Sequence, residues 1–261
     1  MKTTSETWRK RWDELAKCSS NDFQVDRGTA LRIDELEQRE ARQFIEALDP
    51  KPRDLILDAG CGTGGHISQI GSLVAGIVGV DLSEEMLRRA ERRVSIERIP
   101  NVKLLQGDIT HIDFPSSTFD KVICTSVLQY LNDDECEAAL LELVRVCKNG
   151  GTIVIHAKNR TSLYGLSLRL LKVIARVLRR RTTPDYYRSW TWYEEVISRV
   201  GGQTIDYDSR GILTFVPLPT AVVRGLLQLE GKWIKRKGLK KFGVNYKMIV
   251  RVEKQGVRDR N

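Results

Sequence analysis

The chain has 261 residues, of which 41% are apolar, and its formal net charge is +9. This length and composition predict one α/β domain with additions, and they do not require a second complete domain. No apolar run approaches the roughly 18 to 20 residues of a membrane-spanning helix, and residues 1–7 lack the apolar stretch of a signal peptide. We therefore expect a soluble, cytoplasmic protein, whose positive charge suggests an anionic partner.

The five cysteines are odd in number, scattered, and without a C-x-x-C pair. This pattern argues against a disulfide framework and against a zinc site, so we expect reduced thiols and no metal. Cys61 lies between two glycines, and we interpret it as a small residue tolerated there rather than as a nucleophile.

Two helices are predicted before the first strand. Residues 8–16 place three apolar side chains on one side of a short helix, namely Trp8, Trp12 and Leu15. Residues 31–48 mix apolar and charged positions as a surface helix does, and the sequence Asp-Pro-Lys-Pro at 49–52 follows. We assign residues 1–48 to an N-terminal helical arm.

A buried strand and a glycine-rich turn follow. Residues 55–57 are a continuous apolar run, and the turn satisfies G-x-G-x-x-G through Gly60, Gly62 and Gly65. That pattern also admits a dinucleotide. Asp58 separates the alternatives, because a carboxylate repels a pyrophosphate but attracts the ammonium and sulfonium of S-adenosylmethionine. The turn therefore favours a sulfonium cofactor.

Four further parallel strands are predicted to end at the same edge as the first. They cover residues 76–80, 102–106, 121–124 and 152–156, with predicted helices at 65–73, after Ser83, and at 133–146. Asp81 follows the first glycine by about twenty residues, the separation at which an acidic residue reaches a ribose diol. Ligands of open α/β sheets bind beyond the carboxyl ends of the strands, which is where Asp58, Asp108, Thr125 and His156 fall.

Five motifs resemble, in order, those of the class I S-adenosylmethionine-dependent methyltransferases, in particular the small-molecule and lipid-quinone type. They are Leu-Asp-Ala-Gly-Cys-Gly-Thr-Gly at 57–64, Gly-Val-Asp-Leu-Ser at 79–83, Gly-Asp-Ile at 107–109, Phe-Asp-Lys-Val at 119–122 and Asn-Gly-Gly-Thr at 149–152. The resemblance spans roughly residues 36–155. It implies a Rossmann-like, doubly wound, seven-stranded sheet, mostly parallel with the last strand antiparallel, and S-adenosyl-L-methionine as cofactor.

The resemblance also implies a set of cofactor-binding residues. They are Asp58, Ala59, Gly60, Cys61, Gly62, Gly64, Asp81, Leu82, Met86, Asp108, Ile109, Thr125 and Gln129. Asp108 would accept from the adenine amino group, with Ile109 beside the ring, although an aspartate there can also simply cap the next turn. Lid candidates in the N-terminal arm are Trp12, Phe23 and Arg27, and the alternative is a helix that packs its tryptophans on the core.

The segment after the fourth strand indicates the class of acceptor. Enzymes that methylate exocyclic amino groups of nucleic acid place an Asp or Asn, two prolines and an aromatic residue here, and Thr-Ser-Val-Leu at 125–128 has none of them. We expect a small or lipid-linked acceptor, such as a quinone, an isoprenoid or glycolipid intermediate, or a polyketide-like compound. The alternatives are a methyltransferase acting on RNA or protein, and a non-catalytic cofactor-binding partner.

Two basic segments are predicted outside the central sheet. We assign residues 157–190 to an insertion, in which 165–181 predict a helix with one apolar and one basic face. This helix suits either an anionic membrane surface or a lid over the site, while nucleic acid is disfavoured because few aromatics interleave with the basic residues. Residues 191–261 are expected to complete the core sheet and to carry a second basic helical insertion.

Methyl transfer needs alignment above all, because the sulfonium is already activated. A base is required only when the acceptor is a hydroxyl or an unactivated carbon. His156 is the histidine placed for that catalytic role, with an ordinary strand-end residue as the alternative. His66 is expected at the start of the first core helix and His111 on a loop.

Overall fold

The computed structural model describes residues 4–18, 34–160, 186–210 and 245–253. Its strands are β1 Leu55–Ala59, β2 Gly76–Asp81, β3 Val102–Gln106, β4 Phe119–Thr125, β5 Cys147–Lys158, β6 Gly202–Arg210 and β7 Asn245–Val252. Its helices are α1 Thr4–Cys18, α2 Asp34–Leu48, α3 Gly65–Ile70, α4 Glu84–Glu97, α5 Asp133–Val146 and α6 Trp190–Arg199. Short 3-10 helices cover Gly71–Leu73 and Leu128–Tyr130.

The seven strands form one sheet in the order β3-β2-β1-β4-β5-β7-β6. Strands β1 to β5 pair in parallel, and β7 runs antiparallel to both β5 and β6. The predicted α/β fold with an antiparallel last strand is thus confirmed. The strand order reverses between β1 and β4, which is where ligands bind in folds of this type.

Helices cover both faces of the sheet because successive residues of a strand point to opposite sides. Leu57 and Val122 face the layer formed by α5 and α6, whereas Ile56 and Ile123 face the layer formed by α2, α3 and α4. The first layer includes the buried residues Leu140, Leu143, Val196 and Ile197, and the second includes Phe44, Leu48, Ile67, Ile70 and Leu87. The sheet is therefore doubly wound.

The local sequence of helix α5 explains where this helix begins and ends. The Asn132 side chain accepts from the Glu135 N–H at 3.0 Å, and the Glu135 carboxylate accepts from the Asn132 N–H at 2.9 Å. This capping box satisfies donors that a helix start leaves open. Acidic residues in the first turn and Arg145 in the last complement the helix dipole, and the helix spans the predicted residues 133–146.

The predicted N-terminal arm contains two helices in different settings. Helix α2 is part of the packed second layer, because Phe44 and Leu48 are buried there. Helix α1 instead packs on α4 at the edge where the parallel strands end. Within the described ranges, none of the helices is long and apolar enough to cross a membrane. Residues 165–181 and the second basic segment lie outside those ranges.

Candidate cofactor and acceptor site

The glycine turn brings its backbone against the loop that follows β4. Gly60 has a φ of +80°, and its N–H donates to the carbonyl of Val80 at 2.7 Å. A Cβ atom at Gly60 would lie 2.2 Å from Cγ2 of Val127, closer than any side chain tolerates. Glycine is therefore required here both for its left-handed conformation and for the close approach.

Asp81 ties the end of β2 to this turn. One carboxylate oxygen accepts from the Gly62 N–H at 2.9 Å, and the other accepts from the Ser83 N–H at 2.9 Å. Burial raises the pKa of Asp81 above its ordinary value, and the negative charge of Asp13 acts in the same direction. A buried carboxylate with raised pKa at a sheet edge is typical of a ligand-binding group.

Four other predicted residues lie at the same edge. Asp58 is buried near the end of β1, and Thr125 is the register partner of His156 at the ends of β4 and β5. Asp108 follows β3, where one of its oxygens accepts from the Thr110 N–H and hydroxyl at 2.9 and 2.8 Å. Asp108 thus forms the capping turn that the sequence left open as an alternative, and its adenine contact stays a prediction.

The loop after β4 presents a buried amide. Gln129 is 2% exposed, and its Nε2 donates to the carbonyl of Ser126 at 2.8 Å. Its Oε1 is also buried, and no donor from the described residues lies within hydrogen-bonding distance of it. Because a buried oxygen without a donor is costly, this atom indicates a ligand that supplies one.

These groups fit S-adenosylmethionine. Gly60 lets the turn pass close to Val127 of the post-β4 loop, and the Gln129 oxygen can accept from the ammonium of the cofactor. The carboxylates of Asp58 and Asp81 suit a cation and a ribose diol respectively. The bound cofactor supplies an activated methyl group, and the protein residues orient it.

The other predicted cofactor residues lie beside these groups. Cys61 and Met86 are buried, Ile109 is buried after β3, and the Leu82 carbonyl accepts from the Gln106 side chain at 3.1 Å. Every predicted site residue therefore lies near the end of strands β1 to β5 or in the segment that directly follows. They are Asp58, Ala59, Gly60, Cys61, Gly62, Gly64, Asp81, Leu82, Met86, Asp108, Ile109, Thr125, Gln129 and His156.

Helix α1 crosses this edge and touches two parts of the site. Its Asp13 carboxylate accepts from the Ser83 hydroxyl at 2.5 Å. Trp8 and Trp12 pack against Tyr130, with ring centroids 4.6 and 5.1 Å away. Trp8 is buried and Trp12 packs beside Met86, so both tryptophans pack on the protein, as the alternative expected. The lid role of α1 stays a prediction, and the other lid candidates, Phe23 and Arg27, lie outside the described residues.

A second histidine reaches the edge where the sequence pointed to His156. His66 Nε2 lies 2.9 Å from the Thr125 hydroxyl, and its ring stacks on Phe44 at 4.1 Å. Sequence reasoning placed His66 only at the helix start, because nothing local reveals its contact with β4. His111 is exposed and pairs through its backbone with Asp108.

Known proteins resemble the chain in sequence and in fold. The family described as "Methyltransferase domain" matches residues 56–151. A phosphatidylethanolamine N-methyltransferase from Cereibacter sphaeroides is 38% identical over 101 residues, which cover 38% of this chain and about half, 48%, of that relative. A demethylmenaquinone methyltransferase from Streptomyces avermitilis is 31% identical over 173 residues, covering 61% of this chain and 71% of the relative.

The fold is shared with magnesium protoporphyrin IX methyltransferase from Synechocystis PCC 6803, solved with bound S-adenosylhomocysteine. The TM-score is 0.67 at 15% identity, and the match covers 97% of this chain and 100% of the other. Motifs, topology and relatives agree. The chain therefore belongs to the class I S-adenosylmethionine-dependent methyltransferases, and S-adenosylmethionine is its cofactor.

Proposed function

We propose that the protein transfers a methyl group from S-adenosylmethionine to a small or lipid-linked acceptor, of the quinone, isoprenoid, glycolipid or polyketide-like kind. The observation that carries the proposal is the composition of the post-β4 loop. Val127 and Tyr130 are partly exposed apolar and aromatic residues of this loop, and Tyr130 packs against the two tryptophans of α1, whereas Leu128 is buried in the core. Such a wall suits an apolar acceptor beside the methionine end of the cofactor.

The substrates named for the two relatives support this class of acceptor, since demethylmenaquinone and phosphatidylethanolamine are both lipids. A planar nucleobase receives no such support, because the loop lacks the residues that hold a flipped base. An RNA or protein acceptor is therefore the outcome that would contradict the proposal.

The reaction is an in-line displacement at the sulfonium carbon. Holding the acceptor atom at about 3 Å from the methyl group supplies most of the acceleration through proximity. For a hydroxyl or carbon acceptor we propose His156 as the general base, since it lies beside Thr125 at the carboxyl edge of the sheet. His66, bonded to Thr125, is the second imidazole at that edge.

A methyl-transfer panel tests the proposal. Radiolabelled S-adenosylmethionine is incubated with a demethylated quinone, phosphatidylethanolamine vesicles, a polyprenyl phosphate, a mixed RNA and a histone mixture. Label entering one of the lipid-soluble acceptors supports the proposal, and label entering only RNA or protein overturns it. The variant Asp81→Asn serves as the cofactor-deficient control.

The role of His156 is tested on the acceptor that the panel identifies. If His156 is the base, His156→Asn lowers kcat about a hundredfold or more, the range of general-base catalysis, and leaves S-adenosylhomocysteine affinity intact. His111→Asn is the matched control, because His111 is an exposed loop histidine. An unchanged kcat in His156→Asn would remove His156 from the mechanism.

We further propose that residues 165–181 contact an anionic membrane that carries the acceptor. Their sequence combines leucine, valine and isoleucine with arginine and lysine and contains no acid. Co-sedimentation with anionic and neutral vesicles is compared for the full chain and for a variant with Arg169, Lys172, Arg176 and Arg179 changed to Gln. Anionic-selective binding that the variant loses supports the membrane contact, and equal binding of both chains contradicts it.

A further inference from the structure

Arg188 is a buried arginine that the site described above does not use. It is only 4% exposed and lies just before α6. A guanidinium withdrawn from water is costly unless its donors are satisfied. Its partners therefore show what the residue is there to hold.

The guanidinium holds the loop after β4 by its backbone. Nη1 donates to the carbonyl of Leu128 at 3.0 Å, and Nη2 donates to the carbonyl of Leu131 at 2.7 Å. These carbonyls belong to the first residue of the short 3-10 helix and to the residue that follows it. The Leu128 carbonyl also accepts from the Leu131 N–H at 3.4 Å, so the arginine adds a second, charged donor to that carbonyl and supplies one to the carbonyl of Leu131.

Three further contacts fix the guanidinium itself. Nε donates to Asp133 at 2.9 Å, Nη1 also donates to the carbonyl of Tyr186 at 3.1 Å, and the guanidinium lies 4.7 Å from the ring centroid of Trp192. A planar guanidinium with five N–H donors can make all these contacts together, whereas the ammonium of a lysine cannot.

Tyr186, two residues before Arg188, also contacts Gln129 of this loop directly. The Tyr186 N–H donates to the carbonyl of Gln129 at 2.8 Å. Gln129 carries the buried Oε1 assigned above to the cofactor ammonium, and its neighbour Tyr130 packs against Trp8 of α1. The loop at 128–131 is thus held on one side by Arg188 and contacted on another by helix α1.

Arg188 also closes the base of the insertion. It forms a parallel bridge with Asn159 at the end of β5, and its carbonyl accepts from the Arg160 N–H at 3.0 Å. Residues 159–160 and Arg188 thus lie side by side, next to the post-β4 loop.

We propose that Arg188 is a positioning residue for methyl transfer, which sets the 128–131 loop against the methionine end of the cofactor and joins that loop to the base of the insertion. This inference rests on the proposed function for the placement of the cofactor. It predicts that losing the guanidinium loosens contacts with the methionine part and spares those with the adenosine part.

The test measures dissociation constants for S-adenosylhomocysteine and for adenosine by calorimetry on the full chain. Arg188→Met removes the guanidinium and keeps most of the length of the side chain. Arg188→Lys keeps the positive charge but loses the planar arrangement of guanidinium donors. Arg199→Met is the matched control, since Arg199 is an arginine of α6 with 57% side-chain exposure and a surface partner in Glu137. Thermal unfolding of each variant is followed in parallel.

In Arg188→Met we expect the dissociation constant of S-adenosylhomocysteine to rise about tenfold or more, because a displaced loop loses the charged hydrogen bond between the cofactor ammonium and Gln129. Adenosine affinity should stay within twofold, Arg188→Lys should be intermediate, and Arg199→Met should match the parent chain. If Arg188→Met does not fold, the same comparison is made with Arg188→Lys. Equal weakening of both ligands, or no weakening in a folded variant, overturns the proposal.

Ligand binding by the parent chain shows whether the positioning role of Arg188 fails alone or together with the placement of the cofactor. If the unmodified protein binds neither ligand, the cofactor placement on which both proposals rest fails, and the role of Arg188 fails with it. If the parent binds both ligands and only the difference between them is missing in the variants, the positioning role alone is wrong.

Discussion

Asp81 and Gly62 are joined by a hydrogen bond of 2.9 Å, from the backbone N–H of the glycine turn to the carboxylate at the end of β2. The other oxygen of Asp81 accepts from the Ser83 N–H, next to the start of α4. One side chain therefore sets the spacing between β1's turn and α4. Because those elements are predicted to flank the cofactor, we expect Asp81 to act on cofactor binding both directly and through the turn.

Changing Asp81 to Asn should weaken S-adenosylhomocysteine binding about tenfold or more. The amide removes the charge that ribose hydroxyls and two backbone N–H groups share, and charged hydrogen bonds contribute about 1.5–3 kcal/mol. Calorimetric titration measures the loss. Asp113→Asn is the matched control, because Asp113 is exposed and follows β3 outside the turn. Equal affinities in Asp81→Asn and the parent chain would remove Asp81 from the site.

Cofactor affinity should decrease as the pH is lowered, because Asp81 takes up a proton. Burial raises the pKa of Asp81 above 3.8, so this carboxylate takes up a proton at a higher pH than an exposed aspartate. A raised pKa also means that ionised Asp81 destabilises the fold: its contribution to the free energy of unfolding is most favourable below 3.8 and declines as pH rises through the raised value. Affinity and this stability contribution thus change in opposite directions.

We expect the parent chain to lose S-adenosylhomocysteine affinity as pH falls toward 3.8 from above, whereas Asp81→Asn shows weak binding with little pH dependence in that range. Calorimetry at several pH values, with circular dichroism to confirm folding, measures both profiles. The same slope in the two proteins would assign the pH dependence to another group.

The site was predictable where chemistry follows a local pattern. Residues 133–146 carry their own cap and dipole-matched charges, and the helix has those bounds. Asp58 and Asp81 follow short apolar strands, which fixes their edge of the sheet. Strand β5 is longer than the predicted residues 152–156 because Cys147 already pairs with Phe119 before the glycine turn.

The contacts that hold the site together were not predictable because they join distant residues. Asp13 meets Ser83 across 70 positions, His66 meets Thr125 across 59, and Arg188 meets Leu131 across 57. These are polar side chains in ordinary local sequences, so no periodicity or motif predicts their distant partners. The one available signal for Arg188 was its place beside a cluster of tyrosines and tryptophans.

Gly60→Ala should destabilise the protein by about 2–4 kcal/mol. About 1 kcal/mol comes from the left-handed backbone, and overpacking against Val127 adds about 1–3 kcal/mol. The contact at fault is the 2.2 Å approach of the new Cβ to Cγ2 of Val127. Urea unfolding measures the change in the free energy of unfolding.

Gly150→Ala separates the cost of the left-handed backbone from the cost of the clash. Gly150 has a φ of +75°, close to that of Gly60, but a Cβ there meets no atom within 4 Å. We expect a loss of about 1 kcal/mol. The double variant Gly60→Ala with Val127→Ala should recover part of the stability lost in Gly60→Ala, and strict additivity of the two substitutions would exclude the clash.

Asp13→Asn should release helix α1 from α4. The carboxylate accepts from the Ser83 hydroxyl at 2.5 Å and from the Glu85 N–H at 3.3 Å, so the amide weakens two hydrogen bonds at a helix start. We expect about 1 kcal/mol of weaker docking and faster trypsin cleavage after the basic residues of α1. Mass spectrometry of timed digests measures the cleavage rate.

Glu14→Gln is the control for Asp13→Asn, since it removes the neighbouring carboxylate of the same helix, which is exposed. Bound S-adenosylhomocysteine should slow the cleavage of the parent chain if α1 covers the cofactor. Equal cleavage rates in Asp13→Asn and Glu14→Gln would show that the contact with Ser83 does not hold α1 against α4.

Asp120→Asn should lower stability without affecting the cofactor, because Asp120 lies at the opposite edge of the sheet, near the start of β4. Its carboxylate accepts from the Leu55 N–H at 2.9 Å and from the Lys148 ammonium at 2.7 Å. The amide can still accept from Leu55 but loses the ion pair, so we expect a cost of about 1 kcal/mol at neutral pH.

The pH dependence of this loss identifies its cause. Partial burial alone raises the pKa of Asp120, but the hydrogen bonds from Leu55 and Lys148 outweigh it and hold the pKa below 3.8. A lowered pKa gives stability that is present above 3.8 and is lost as pH falls through the folded-state value. Urea unfolding should therefore show the difference between Asp120→Asn and the parent shrinking below pH 3.8, with S-adenosylhomocysteine affinity unchanged at neutral pH. A difference that stays constant at all pH values would mean that packing, and not the charge of Asp120, joins β4 to β1.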